Sequence, residues 1–150
     1  MYNKQTTATV IGHNECRDVD TDHLRAEFIQ LINSGVTTFI SGGTGGFDRL
    51  CARMIHELKK TFPHIRSYIV IPYLDQKIFE PSCFDGSEFP ECLETVPYRY
   101  RISHRNRWMA DNAAYAVCYV THSYGGAAQT YRYAKNHNLC IIDIKKRQQP

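Results

Sequence analysis

A short β-type run, Thr37-Thr38-Phe39-Ile40, passes directly into Ser41-Gly42-Gly43-Thr44-Gly45-Gly46-Phe47-Asp48. Beyond it Phe47, Leu50, Cys51, Met54, Ile55, Leu58 and Phe62 recur at helical spacing. A strand, a glycine-dense turn and a helix start form a backbone that closes tightly. The first amides of such a helix lack internal partners, and the helix dipole favours negative charge there. The stretch therefore reads as a binding loop for phosphate or another anion. It reads equally as a Gly-rich turn with a capping aspartate. It carries no G-x-x-x-x-G-K-[ST] lysine and no long dinucleotide-binding pattern.

The rest of the chain repeats this alternation. Residues 6–11 form a β-rich run ending at Gly12-His13. Asp20 or Thr21 caps a helix with Leu24, Phe28, Leu31 and Ile32 on one face, stopped by Gly35. The glycine loop opens a second helix, ended by Pro63, and residues 67–71 read as a third strand. Residues 74–97 hold three of the six prolines and no clear period, which suggests a lid or rim inserted over the strand ends, or a solvated loop. Residues 98–112 predict a helix with an inward stripe of Tyr98, Ile102, Arg105 and Met109. A fourth strand over 114–120 meets a second glycine turn, Thr121-His122-Ser123-Tyr124-Gly125-Gly126. A helix bearing Ala127, Ala128, Tyr131 and Ala134 and a last strand over 139–144 complete the pattern, with a frayed polar tail from Lys145. The expectation is one α/β domain over 1–150, a three-layer sandwich around a mostly parallel sheet of about five strands.

Composition narrows the function classes. The net charge of +3 is weakly basic and gives no strong nucleic-acid signal. Six cysteines form no C-x-x-C pair; Cys51, Cys118 and Cys140 read as reduced core thiols, hence a cytoplasmic setting and no metal site. No apolar run reaches membrane-spanning length, and Met1-Tyr2-Asn3-Lys4-Gln5 shows no signal peptide.

In parallel sheets, ligands bind beyond the carboxyl ends of the strands, where strand order reverses. The candidate ligand-binding residues cluster at those ends: Gly12, His13, Arg17, Gly42, Gly43, Thr44, Gly46, Phe47, Asp48, Tyr73, Arg105, Asn106, His122, Ser123, Gly125, Gly126 and Thr130. Asp48 is either a helix cap or a carboxylate for ribose hydroxyls. Arg105 either pairs with Asp111 or a lid acid, or grips a phosphate with its planar fork. Arg17 reads as a surface arginine or a second phosphate contact. His13 and His122 suit hydrogen bonding to a ligand, and Tyr73 or Tyr124 suits stacking on a base or rim packing.

G-H at 12–13, S-G-G-T-G-G-F-D at 41–48, R-N-R-W-M-A-D at 105–111 and Y-G-G-A-A-Q-T-Y-R-Y-A at 124–134 resemble the YpsA-like branch of the SLOG superfamily. That superfamily also includes DprA and the LOG-type phosphoribohydrolases. The resemblance spans nearly the whole chain and implies a Rossmann-like fold, a homo-oligomer and a nucleotide-derived ligand. Related SLOG domains sense ADP-ribose-type signals in antiphage systems, so sequestration of an immune signal is one implied role. LOG enzymes carry P-G-G-x-G-T-x-x-E, whereas this chain has Gly125-Gly126-Ala127-Ala128-Gln129-Thr130 and no acidic residue until Asp143. The resemblance therefore implies a non-catalytic binder without a cofactor. A LOG-type N-glycosidase and a DprA-like DNA-associated module are the alternatives, and the absence of a basic stripe weighs against nucleic acid.

Overall fold

The computed structural model describes residues 3–148, so Met1, Tyr2, Gln149 and Pro150, with part of the N-terminal reading, lie outside it. The strands are β1 (Thr7–Gly12), β2 (Thr38–Ser41), β3 (Arg66–Val70), β4 (Gly86–Glu88), β5 (Tyr115–Tyr119) and β6 (Cys140–Asp143). The helices are α1 (Thr21–Asn33), α2 (Gly46–Leu58), α3 (Arg101–Asp111) and α4 (Gly126–Asn136). All six strands run parallel in the order β4-β3-β2-β1-β5-β6. The chain winds outward from β1 to β4, then crosses back to pair β5 with β1. The switch point lies between β1 and β5, so the loops after those two strands open beside each other.

Apolar periodicity explains the layers. Asp20 caps α1 by accepting a hydrogen bond from the His23 amide at 3.0 Å, and Leu24, Phe28, Leu31 and Ile32 are buried as the spacing predicts. They share one core with Phe47, Cys51, Met54, Ile55 and Leu58 of α2 and with Ala8, Val10, Phe39 and Val117 of the sheet. Each such large side chain contributes roughly 1.5–3 kcal/mol on burial. The opposite face packs Ala110 of α3, Ala113 just after it and Ala134 of α4 against Ile11, Ala116 and Cys118. Small residues there let the two helices approach the sheet closely.

The structure departs from the sequence expectation at four places. The sheet has six strands rather than about five; β4 lies within 74–97 and pairs with β3 at the edge. Helix α3 starts at Arg101 after a 3-10 turn over Tyr98–Tyr100, so Tyr98 and Ile102 stay exposed and the buried stripe is Arg105, Met109 and Ala110. Cys140 is exposed because β6 is the edge strand, while Cys51 and Cys118 are buried thiols. The tail from Lys145 is docked: Lys146 bridges antiparallel to Val19, and the Asp20 amide donates to the Lys145 carbonyl at 3.0 Å. No helix among the described residues is long and apolar enough to cross a membrane.

Candidate functional site

Two connected spaces lie on the α3/α4 side of the switch point. The inner one is a chamber of about 150 Å³ lined by Val10, Ile11 and Gly12, by Thr44, Gly45 and Asp48, and by residues of α3 and α4. The outer one is a groove of about 400 Å³ running between Ile102, Ser103, Asn106 and Arg107 of α3 and Gly126, Gln129, Thr130 and Tyr133 of α4. Ile102, Asn106, Gly126 and Thr130 line both, so the groove leads into the chamber.

Arg105 forms the back of the chamber and is only 2% exposed. Its Nη1 donates to the carbonyls of Val70 at 2.8 Å and Gly42 at 3.3 Å, tying the ends of β3 and β2 together. Its Nε donates to Asn106 Oδ1 at 2.9 Å. Its Nη2 has no hydrogen-bond partner among the described residues. A Cβ on Gly42 would sit 2.8 Å from the guanidinium carbon, so the glycine makes room for this side chain. Neither Asp111 nor an acid of 74–97 pairs with Arg105; Asp111 instead accepts a hydrogen bond from the Tyr133 hydroxyl at 2.8 Å.

Asp48 occupies the third position of α2, part-exposed at the chamber wall. The helix cap itself is Gly45, which offers no side chain. The backbone amides of Thr44 and Gly43, in the glycine loop, favour the charged form of the Asp48 carboxyl. Burial pushes its pKa up to about 6, against the attraction of the Arg105 guanidinium and those two amides. Burial likewise pulls the Arg105 pKa down, with Asp48 opposing. The two charges attract without forming a direct ion pair.

The start of α4 supplies the third element. Its cap, Gly125, has φ of 91°, a conformation that suits glycine, and leaves the first turn without a side-chain cap. Gly126 and Ala127 line the chamber at this uncapped end, where the dipole favours an anion.

The other residues expected at the site are placed as follows. Gly12, Thr44, Asp48, Arg105, Asn106, Gly126 and Thr130 line the chamber. Gly42, Gly43 and Gly46 stand behind it; a Cβ on Gly46 would overlap the Asn14 carbonyl oxygen. Phe47 is core, stacked on Tyr119. Arg17 is a surface residue, its side chain 88% exposed and paired with Glu15 at 2.7 Å. Tyr73 donates from its hydroxyl to the Tyr98 carbonyl at 2.9 Å and stacks on that ring. His122 and Ser123 line a separate hollow with Tyr131 and Arg132. Sequence reasoning missed Val10, Ile11, Gly45, Ile102, Met109 and Ala127 in the chamber and Ser103, Arg107, Gln129 and Tyr133 in the groove. The signal existed: 102, 103, 106 and 107 on one helix and 126, 129, 130 and 133 on another are facing stripes at helical spacing.

His13 sits under this edge. Its Nε2 accepts from the Thr121 amide at 2.9 Å, and its ring stacks on His122 at 3.6 Å, with Tyr124 stacked beyond at 3.9 Å. Burial first, then the neighbouring His122, pulls its pKa below 6.5. Its contribution to stability is present above pH 6.5 and is lost as pH falls toward the folded value. Replacing His13 by Gln, which keeps an acceptor but cannot titrate, is expected to flatten that acid-side loss. Urea unfolding at pH 7 and pH 5 measures it, and a wild-type-like pH slope in the variant would remove His13 as the cause. No group of three or more metal-ligating side chains occurs among the described residues.

The YpsA family model, described as the YspA SLOG family, matches residues 14–80, which include the glycine loop and Asp48 but not Arg105 or Gly126. A solved structure of DNA processing protein A from Helicobacter pylori, described for its single-stranded DNA binding mode, superposes with a TM-score of 0.65 at 15% identity. The match covers 95% of this chain and 66% of that one, so this chain spans just under two thirds of its length. No curated protein matches the sequence. The chain is thus similar to the YspA SLOG family over residues 14–80, and its fold is similar to that of DNA processing protein A over nearly its whole length.

Proposed function

We propose that this protein binds a nucleotide-derived small molecule, ADP-ribose-like or phosphoribosyl-containing, in the chamber and groove, and holds it without turnover. The observation that carries the reading is Arg105. A guanidinium this buried, held in place by three hydrogen bonds through Nη1 and Nε, leaves its Nη2 as a donor for a polar ligand in the chamber. The uncapped start of α4 beside it suits a phosphate, and the groove gives the rest of a nucleotide a place to lie. Held without turnover, a signalling nucleotide is sequestered. Calorimetric titration with AMP and ADP-ribose is expected to show binding, and chromatography of the same mixtures no free base. No heat with either compound at millimolar concentration would overturn the reading. Light scattering during gel filtration reads the homo-oligomer that the family resemblance implies.

Two observations favour other readings of the same face. The Asp48 carboxyl, pushed to about 6, has the pKa that general acid or base catalysis at neutral pH requires. Release of base that disappears in Asp48→Asn would make this an N-glycosidase, although the glutamate of LOG enzymes is absent from the second glycine turn. The fold shared with DNA processing protein A weakens the expectation that nucleic acid is excluded. Exposed Tyr98 and Tyr100 beside Arg99, whose guanidinium lies 4.8 Å over the Tyr100 ring, could stack a base and neutralise a phosphate. A salt-dependent mobility shift with single-stranded DNA tests that reading.

A further inference from the structure

We propose that the inner chamber is a ribose-selecting subsite, in which the sugar 2-hydroxyl bridges Asp48 and Arg105 and the attached phosphate points to the start of α4. The proposal rests on the small-molecule reading above and adds which part of the ligand occupies which space.

The argument is one of donors and acceptors. An ionised Asp48 only accepts hydrogen bonds, and Arg105 only donates them. Both line the same chamber, their charges attract, and they form no ion pair. A group between them must donate to one and accept from the other. A neutral hydroxyl does both through a single oxygen. A phosphate or carboxylate placed there meets the Asp48 charge, and an ammonium meets the Arg105 charge. The pair therefore selects an alcohol, even though the chamber lies beside an anion-favouring helix end.

The space fits the same conclusion. The chamber, at about 150 Å³, holds one small ring, while the groove beyond is more than twice as large. Ile11, Ile102 and Met109 line it with apolar surface suited to the C–H face of a sugar. Gly126 and Ala127 stand where a phosphate on that sugar would meet free helix amides. The groove, with the Gln129 and Asn106 amides on its walls, is left for the base or second nucleotide half.

A site built to bond a hydroxyl discriminates strongly against the analogue lacking it, because its own polar groups are then left unpaired. The test is calorimetric titration of the full chain with ribose 5-phosphate and with 2-deoxyribose 5-phosphate. Ribose 5-phosphate is expected to bind at least about tenfold more tightly. Asp48→Asn, nearly the same shape, is expected to shrink that gap to within about threefold. Equal affinity for the two sugars in the wild type would overturn this inference and leave the binding reading standing. A gap that survives in Asp48→Asn would also overturn it. Binding of neither sugar phosphate, with AMP still bound, would place the ligand outside the chamber and overturn the inference alone. Failure of both sugar phosphates, AMP and ADP-ribose would overturn both. The wild-type comparison decides by itself should the variant fold poorly.

Discussion

Replacing Arg105 by Met is expected to lower the unfolding free energy by about 2–6 kcal/mol, the cost of leaving two buried carbonyls without their donor. The guanidinium is the largest fully buried side chain described, and it serves three elements at once. Without it, the Val70 and Gly42 carbonyls lose their donor at the ends of β3 and β2. Each unpaired buried carbonyl costs about 1–3 kcal/mol. Asp48 also loses its attractive neighbour, so its carboxyl, already near 6, rises further. A folded pKa above the unfolded 3.8 gives stability that is present below 3.8 and lost as pH rises through the folded value. The loss in Arg105→Met should therefore be largest at pH 7 to 8 and smaller at pH 5. Arg105→Lys keeps a charge but not the fork, and should fall between the two. Urea unfolding at pH 5 and pH 8 measures all three proteins; a Met variant as stable as wild type at pH 8 would make Arg105 a passive filler of the core.

Much of this could be read along the chain, and the rest could not, for physical reasons. Helix α1 was legible because its cap, its stripe and its stop agree: Asp20, then Leu24, Phe28, Leu31 and Ile32, then Gly35. Strand β4 was not, because Gly86-Ser87-Glu88 has no apolar alternation; it pairs with β3 at the sheet edge through its backbone. The inward charge on α3 was legible as Arg105, since helical spacing places it with Met109. Its partners were not, because they are carbonyls 35 and 63 residues away. Tyr98 obeyed the same spacing and was misplaced, as the turn after Pro97 delays the helix until Arg101. Gly42 makes room for Arg105 and Gly46 for the Asn14 backbone, so glycine density in the glycine loop is explained by internal packing as much as by a ligand. What marks the loop as a site is Asp48, a carboxyl that lines the chamber beside the loop amides and the Arg105 guanidinium.

Replacing Asp48 by Asn is expected to stabilise the ligand-free protein at pH 7 by roughly 1–3 kcal/mol, the upper end being the full pKa shift and the lower end a discount for partial exposure. Two effects compete. Arg105 loses a counter-charge, which destabilises. The carboxylate no longer has to be held charged in a buried site, which stabilises. The second wins, because the pKa of about 6 already includes the pull of Arg105 and of the Gly43 and Thr44 amides, and the charged form is still disfavoured. The pH dependence separates this from an ordinary packing change. In the wild type the Asp48 contribution is complete below pH 3.8 and disappears as pH rises to about 6. His13 slopes the other way, losing stability as pH falls below 6.5, so the raw wild-type curve partly cancels. The difference between wild type and Asp48→Asn removes His13, which both proteins share. That difference should grow from pH 4 to pH 6 and then level off. Binding should move oppositely, with the more stable variant holding ribose 5-phosphate less tightly. A variant less stable than wild type at pH 7, or a difference curve flat from pH 4 to 7, would mean that the carboxylate is comfortable where it sits, and Asp48 would then be a structural clasp of the glycine loop with no energy held in reserve for a ligand.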